Sequence, residues 1–303
     1  MNAFKHLISV FLIAALLFSG CASRLISNEP APAAYPAAFG VEDEPVVSPA
    51  PPPAQENVPA EEPSPVPGPD FDAISKLDDR AHGWGHGGPV DARNRSHGAL
   101  LFQERYARFD AHFIKPDSDV IYLTFDQGYE LGYTSIILDT LKEKNVPGAF
   151  FLTMHFVRSH PDLVQRMIDE GHVLANHSTA HKNFPSMSLT GAADDVMQLH
   201  NYVRDNFGYE MHLFRFPEGS FNEQTLALLQ SLGYKSVFWS FAYRDWEVDN
   251  QPLTIEALDR IISSAHPGAI YLLHSVSRTN SEVLGEAIDL LRAKGFEFAR
   301  LTL

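Results

Sequence analysis

Two histidines are the side chains of this sequence best suited to holding a metal ion. His177 and His181 are four residues apart, a spacing that on a helical turn puts both imidazoles on one face, where they could share a divalent ion. Two neutral nitrogens make only a partial site, and the pair taken alone is also typical of surface or capping histidines. Further ligands and a base have to come from elsewhere in the chain.

A carboxylate and a guanidinium each stand at the end of an apolar run. Asp126 follows residues 120–125, and Gly128 beside it can adopt unusual backbone angles. Arg215 ends a second run, and its guanidinium can bind a carboxylate with two bonds, lower its pKa and fix its direction. Asp126 is therefore a candidate general base. A helix cap for Asp126 and a structural ion pair for Arg215 remain alternatives at this point.

An imidazole ends a third apolar run. His274 closes residues 269–274, and Asp245 offers a carboxylate that could orient it. Trp246 adds an aromatic face beside that carboxylate. This pair suggests acid catalysis, with His274 as the proton donor and Asp245 as the residue that orients it. A histidine satisfied inside the core is the structural alternative for His274.

Short apolar runs alternate with helical stretches throughout the second half of the chain, which predicts an α/β fold with a parallel sheet, closed into a distorted and incomplete (β/α) barrel. Glycines follow three of the helical stretches, where left-handed caps are expected, at Gly171, Gly233 and Gly295. The candidate residues fall at the carboxyl ends of strands, the end that carries the chemistry in α/β barrels. The predicted strands are 120–125, 148–153, 173–175, 213–215, 236–240, 269–274 and 296–301, and the predicted helices are 134–144, 161–170, 191–207, 222–232, 254–265 and 281–294.

The amino terminus reads as an export signal. Residues 1–20 contain Lys5 and then an apolar run too short to span a bilayer permanently. The run ends at Cys21, the only cysteine of the chain, in a segment that resembles the lipobox of bacterial lipoproteins although Phe18 stands where leucine is usual. We expect Cys21 to be acylated, which places the protein at the cell envelope, anchored in a membrane, with its folded domain outside the cytoplasm. A cleaved signal with an incidental cysteine is the alternative.

A tether is predicted between the lipid anchor and the folded domain. Thirteen of the 21 prolines lie between Pro30 and Pro69, mixed with alanine and acidic residues. Such composition cannot form a core, so we predict a disordered linker over residues 21–80 and a catalytic domain over 81–303, with its core at about 118–303. The net charge of −15 and the lack of a basic stripe argue against nucleic acid as a partner.

The motifs in their order resemble those of the polysaccharide deacetylases, carbohydrate esterase family four. The resemblance runs from about Val120 to the carboxyl terminus. It is closest to the subgroup of delta-lactam-biosynthetic de-N-acetylases, and the stretch before Val120 is also similar. The segments that carry it are 124–134, 177–181, 214–219, 238–240, 245–246 and 265–274, together with Trp84-Gly85 and Tyr106 to Phe113.

The resemblance implies a role for each matching residue. His177 and His181 hold a metal, Asp126 is the general base that activates water, and His274 is the acid that protonates the departing amine. Arg215 orients Asp126, and Asp245 adjusts the pKa of His274. The substrate-binding residues are Trp246, Pro217, Gly219 and Tyr129. For Trp246, packing in the core beneath the site is an equal alternative, since tryptophan serves in both settings.

One residue departs from the family pattern. Most members have a second aspartate, a metal ligand, where this chain has Gln127. A neutral amide oxygen binds a divalent ion more weakly than a carboxylate, so Gln127 is a doubtful ligand. The subgroup also carries a non-acidic residue there. We expect one divalent ion, zinc or another transition metal.

The sequence thus predicts a hydrolase that removes acetyl groups from peptidoglycan amino sugars, with N-acetylmuramic acid preferred through the subgroup resemblance. Two alternatives stay open. The chain could be a non-catalytic lipoprotein that binds wall glycans and lost its metal affinity through Gln127. It could also deacetylate another N-acetylated polysaccharide, such as chitin-like oligosaccharides.

Overall fold

A computed structural model describes residues 68–116 and 118–303. The predicted signal peptide, Cys21 and most of the predicted tether lie outside these residues. Within the described ranges, no helix combines the length and the apolar character needed to cross a membrane.

The predicted alternation of strands and helices is confirmed, and Gly171, Gly233 and Gly295 adopt positive φ angles of 79°, 80° and 91° after their helices. The described residues form strands β1 His82–Gly83, β2 Ala111–His112, β3 Val120–Gln127, β4 Gly148–Leu152, β5 Val173–Asn176, β6 Leu213–Phe214, β7 Ser220–Phe221, β8 Lys235–Val237, β9 Ile270–His274 and β10 Glu297–Phe298. They form helices α1 Phe71–Ile74, α2 His97–Tyr106, α3 Thr134–Glu143, α4 Met154–Ser159, α5 Pro161–Asp169, α6 Leu189–Phe207, α7 Glu223–Ser231, α8 Thr254–Ser263 and α9 Arg278–Ala293.

Eight of these strands build one curled parallel sheet. Its order is β10-β3-β4-β5-β6-β8-β2, and β9 also pairs with β3. All these pairs are parallel. The segment that follows β8 pairs with β9 only at one isolated β-bridge, between Phe241 and Tyr271. This confirms the predicted distorted, incomplete barrel.

Alternate residues of the strands face two separate apolar cores. Tyr122 of β3 belongs to a small cluster that is built from sheet residues and the last residues of the chain, so it fills the inside of the curl. Ile121, Leu123 and Phe125 point the other way and pack in the larger core against the helices. Asp126 is four residues after Tyr122 on the same strand, so the two side chains point to the same face of the sheet. The Asp126 side chain therefore faces the inside of the curl, at the carboxyl end of β3.

The folded domain begins earlier than predicted. Helix α1 lies within the predicted linker, yet Ile74 is buried. Gln224 of α7 donates its amide hydrogens to the carbonyls of Ser75 and Leu77, at 3.0 and 3.1 Å. The boundary at residue 81 is therefore wrong, and the domain starts at about residue 70. The sequence around α1 is rich in acidic residues and therefore resembles the linker. The burial of Ile74 depends on residues far away in the chain, which local composition does not show.

Gly268 before β9 is a position where the fold requires glycine. Its φ is +74°, and a Cβ there would lie 1.9 Å from the carbonyl oxygen of Lys115. We predict that Gly268→Ala lowers the free energy of unfolding by about 3 kcal/mol or more, because left-handed strain adds to a backbone clash. Urea unfolding measures this loss.

Gly285 in α9 is the matched control for that substitution. A Cβ at Gly285 would have ordinary contacts, 3.5 Å to Thr140 and 3.6 Å to Lys144. Gly285→Ala should stabilise the domain by about 0.5–1 kcal/mol, since alanine is the better helix former. Equal effects of the two substitutions would contradict the steric argument.

Candidate active site

A cavity of about 1080 Å³ opens at the carboxyl ends of the sheet strands. Most residues predicted for the site line it, while Arg215 and Asp245 lie buried behind the wall. The predicted residues in the lining are Asp126, Tyr129, His177, His181, Gly219, Trp246 and His274. The structure thus brings together residues from five separate segments of the chain.

Asp126 is held by a buried guanidinium. Arg215 has no exposed surface, and its Nη1 donates to Oδ1 of Asp126 at 2.7 Å. Nη2 donates to the Thr124 hydroxyl at 2.9 Å, and Nε donates to the Val237 carbonyl at 3.1 Å. The Phe151 ring lies under the guanidinium, 3.9 Å from its centre. These contacts fix Arg215 and leave Oδ2 of Asp126 free of this pairing.

The surroundings of Asp126 keep its carboxyl group ionised. Burial by itself would raise its pKa, but His177, Arg215 and His274 together hold the pKa below its ordinary value. A carboxylate with one oxygen directed by Arg215 and the other available is what a general base needs.

His177 lies beside Asp126 as a neutral imidazole. Its Nδ1 is 2.9 Å from the Arg215 carbonyl, which can only accept, so Nδ1 carries the proton and Nε2 a lone pair. Burial lowers the pKa of His177 to about 4. Nε2 is 3.4 Å from Oδ2 of Asp126, which places two acceptors face to face. Such an arrangement suits a bound cation.

The segment from His177 to His181 is a loop, so the predicted helical turn is wrong. Ser178 and His181 have positive φ angles of 69° and 49°, and the His181 amide donates to the Ser178 hydroxyl at 2.7 Å. The two imidazole rings still lie 4.9 Å apart at 82°. The tight loop, and not helical periodicity, brings the two rings together.

His177 and His181 could hold a divalent ion, because both imidazoles lie at the cavity and His177 already has the tautomer of a metal ligand. The Nδ1–H bond to a carbonyl is the support that ligating histidines usually have. The described residues contain no ready-made group of three or more His, Cys, Asp or Glu side chains placed for a metal.

Asp195 of α6 anchors the loop from His177 to His181, a role that the sequence did not predict. Its carboxylate accepts from the backbone amides of Thr179 at 2.8 Å and Ala180 at 3.3 Å. Thr179 also donates its hydroxyl to the Asp195 carbonyl at 2.7 Å. Asp195 is only 8% exposed, although aspartate is usually exposed in a helix. The sequence signal was weak: one of two adjacent aspartates falls on the apolar face of α6.

Asp195→Asn should weaken metal binding about tenfold, because the amide can accept only through one oxygen and sets an N–H group against the loop amides. Titration of Zn²⁺ into the metal-free protein, followed by calorimetry, measures the affinity. Its neighbour Asp194 is exposed, and Asp194→Asn serves as the control that removes the same charge. Equal affinities of the two variants would show that the anchor does not position the ligands.

His274 and Asp245 form the second charged pair of the site. Oδ1 of Asp245 is 2.7 Å from Nδ1 of His274, and Oδ2 accepts the His274 amide at 2.8 Å. Asn280 of α9 donates to the same Oδ2 at 2.6 Å, and the Tyr243 hydroxyl donates to Asn280. Sequence reasoning missed Asn280 and Tyr243, since neither lies in a motif. Together they fix Asp245, which is fully buried.

The Asp245 carboxylate favours the protonated form of His274. Burial would lower the pKa of His274, but the charge and hydrogen bond of Asp245, with a contribution from Asp126, raise it above its ordinary value. His274 and Asp126 are direct partners on the adjacent strands β9 and β3. The site thus places an ionised carboxylate next to an imidazole whose protonated form is favoured.

Gln127 is not brought to the histidine pair. It follows Asp126 on β3, faces the opposite side of the sheet and does not line the cavity. Its Nε2 donates to the Thr134 hydroxyl at 2.8 Å, and no partner for its buried Oε1 occurs among the described residues. This geometry does not support the doubtful assignment of Gln127 as a metal ligand.

Three of the four predicted substrate-binding residues line the cavity. Trp246 is 48% exposed and lies edge-on to the His274 ring at 5.5 Å, so it does not pack in the core. Tyr129 is 65% exposed, and Gly219 also lines the cavity. Pro217 is buried and does not line it, so its assignment finds no support.

The segment before the barrel supplies one wall of the cavity. Trp84 donates its indole N–H to the Trp239 carbonyl at 2.9 Å, and its amide donates to the Gly219 carbonyl at 2.9 Å. A Cβ on Gly219 would lie 2.8 Å from the Trp239 ring, so glycine permits this close packing. The amino-terminal segment is therefore part of the site.

Comparison with known proteins agrees with this geometry. The polysaccharide deacetylase profile matches residues 114–237. The peptidoglycan-N-acetylmuramic acid deacetylase PdaA of Bacillus subtilis is 44% identical over 193 residues, 63% of this chain and 73% of PdaA. The peptidoglycan-N-acetylglucosamine deacetylase PgdA of Listeria monocytogenes is 30% identical over 181 residues, 60% of this chain and 38% of PgdA.

A solved structure extends the match to the fold. The structure of Bacillus subtilis PdaA, described as a family 4 carbohydrate esterase, superposes with a TM-score of 0.70 at 38% identity and covers 74% of this chain and 96% of that chain. The shared fold and the extent of the sequence match lead to one conclusion: the chain belongs to the polysaccharide deacetylase family.

Proposed function

We propose that the chain hydrolyses the N-acetyl groups of peptidoglycan amino sugars, N-acetylmuramic acid first among them, in a metal-dependent reaction that releases acetate. One observation carries the proposal: a carboxylate fixed by Arg215 and an imidazole fixed by Asp245 meet on adjacent strands in one cavity.

The free oxygen of Asp126 is the acceptor for the proton of an attacking water. Water adds through its oxygen to the acetyl carbon, and Asp126 takes one proton. Arg215 keeps this carboxylate ionised and stops it from rotating, so that the base points into the cavity without further rearrangement.

His274 completes the reaction on the leaving side. When the carbon–nitrogen bond breaks, the sugar nitrogen needs a proton, and the imidazolium of His274 supplies it. The products are acetate and a free amine. Asp245 favours the protonated form of His274 and, with Nδ1 engaged, directs Nε2 to the substrate.

His177 and His181 would hold the divalent ion. Such an ion supplies Lewis-acid activation of water and of the acetyl carbonyl. The neutral state of His177 and the Asp195 anchor of the loop support this role.

The relatives support the substrate class. The identity to PdaA, named for N-acetylmuramic acid, is 44%, against 30% to PgdA, named for N-acetylglucosamine. The exposed rings of Trp246 and Tyr129 offer aromatic faces on which a sugar can stack.

The proposal includes a location at the cell envelope. Cys21 would carry the lipid that anchors the chain in a membrane, and the proline-rich segment after it would give the domain reach toward the wall. Labelling with a radioactive fatty acid tests the anchor, because Cys21→Ser should abolish the label and release the protein from membranes. Retained label in Cys21→Ser would contradict it.

The activity is tested on the metal-free protein. Intact peptidoglycan, stem-free glycan and chitin oligosaccharides are each incubated while Zn²⁺, Co²⁺ or Mn²⁺ is restored, and acetate is assayed. We expect an ion to restore acetate release from the peptidoglycan-derived substrates. Acetate release from the chitin oligosaccharides alone would overturn the assignment of peptidoglycan as substrate. Acetate release that does not increase when any of the ions is restored would overturn the metal dependence.

A further inference from the structure

A second, smaller cavity adjoins the active site. It has a volume of about 290 Å³ and shares Tyr243 and Arg244 with the large cavity. Its remaining lining residues are Asn250, Gln251, Pro252, Leu253, Glu256 and Arg260. The two cavities therefore meet at Arg244, next to the Asp245 that orients His274.

The floor of this cavity is tied to the catalytic pair. Gln251 donates to the carbonyls of Asp245 at 2.8 Å and Glu247 at 2.9 Å, and it accepts the Ser277 hydroxyl at 2.6 Å. A group bound against Gln251 would therefore lie at a set distance from the proton donor His274.

The two cavities differ in charge. In the part of the chain that the structure describes, Arg244 is the one lysine or arginine that lines the large cavity, alongside the carboxylates of Asp126 and Glu218. The small cavity has two arginines, Arg244 and Arg260, against one carboxylate, Glu256. Counting arginine and carboxylate side chains alone, the lining of the small cavity is therefore net positive and that of the large cavity is not.

Both guanidinium groups are available to a ligand. Arg260 makes no ion pair with any residue in the described ranges. Arg244 has one partner, Glu247 at 3.5 Å, and its side chain is 68% exposed. A pair so long and so exposed contributes little, so a ligand carboxylate can displace it at small cost.

We propose that Arg244 and Arg260 form a subsite for a carboxylate that the substrate carries beside its acetamido group. This inference rests on the proposed function, because it assumes that the acetamido group lies between Asp126 and His274. A muramoyl unit has such a carboxylate on its lactyl ether, or at the far end of an amide bond when a stem peptide is attached. Guanidinium groups recognise carboxylates by charge and by paired hydrogen bonds.

The net charge of the protein makes such a subsite useful. The chain carries −15 in total, so an acidic glycan is repelled by the protein as a whole. Two arginines in the adjoining small cavity would give the acidic sugar one favourable orientation. Neutral amino sugars would gain nothing from them.

The test compares acidic and neutral forms of one substrate. Acetate release is measured on stem-bearing glycan, on stem-free glycan, and on stem-free glycan whose lactyl carboxylates have been amidated. Binding of each glycan is measured in parallel by calorimetry. The variants are Arg244→Gln, Arg260→Gln and the double substitution, with Arg204→Gln on α6 as a control that removes one positive charge outside both cavities.

We expect each single variant to lower kcat/KM for an acidic glycan about 3- to 5-fold through KM, and the double variant about tenfold, with the amidated glycan unaffected. Added salt should weaken wild-type binding of the acidic glycan in the same way. A loss on stem-free glycan alone assigns the lactyl carboxylate, and a loss on stem-bearing glycan alone assigns the stem carboxylates. A loss on both shows that the subsite accepts either carboxylate. Equal losses on acidic and amidated glycan, or no loss on either, would overturn the subsite. Absence of acetate from every glycan would instead contradict the proposed function, and the binding arm would still test the subsite.

Discussion

Asp126→Asn should reduce acetate release by a factor of about 10² to 10⁴, because the amide cannot accept the proton of the attacking water. The asparagine oxygen can still accept from Arg215, so the geometry of the site should be kept. Glycan binding should therefore change little. Initial rates of acetate release and calorimetric binding of stem-free glycan measure the two effects separately.

The matched control for this substitution is Asp259→Asn, which removes an exposed carboxylate from α8 outside the cavity. It should leave the rate unchanged. If Asp126→Asn released acetate at a rate similar to that of Asp259→Asn, the base would have to be another group. Arg215 would then not be a positioning residue for the base.

Asp245→Asn should have the second large effect, on both the rate and its pH dependence. In the wild type, Asp245 outweighs burial and raises the pKa of His274. The substitution removes that charge while burial remains, so the pKa of His274 should fall. Less of the acid is then protonated at neutral pH. We expect kcat/KM to drop about 10²-fold at neutral pH, a size typical of a positioned acid.

The sign of the pH effect follows from the raised pKa. The protonated imidazole is the active form, so activity is lost as the pH rises through the pKa of His274, and in Asp245→Asn this alkaline limb should move to lower pH. Stability behaves in parallel, since the contribution of the pair is complete below the ordinary histidine pKa of about 6.5 and disappears as the pH rises through the raised value. The difference in unfolding free energy between the two proteins should therefore shrink with rising pH. An alkaline limb that stays in place would show that Asp245 does not control His274.

The sequence was sufficient for the barrel, because the barrel depends on local signals, and the same signals marked the candidate catalytic residues. Apolar runs that alternate with capped helices predict a parallel sheet, and polar residues at strand ends predict where the chemistry lies. Asp126, Arg215 and His274 were found in this way, and the structure places them around one cavity.

The residues that sequence reasoning missed act through distant contacts. Asp195 binds a loop 15 and 16 residues away, and Asn280 binds Asp245 at a separation of 35 residues. Neither belongs to a motif, and only their unusual burial marks them. The predicted helical turn from His177 to His181 was wrong because a spacing of four residues suggests a helix but does not require one. Two residues in left-handed backbone conformation bring the rings together in a loop instead.

The most direct test of the central claim is to measure acetate and new primary amine together, on stem-free peptidoglycan glycan, with the metal-restored wild type and with Asp126→Asn. The account predicts that the two products appear in equal amounts with the wild type and that both nearly vanish with the variant. Glycan that is bound by the wild type but yields neither product would contradict it and would favour a protein that binds the wall without catalysis.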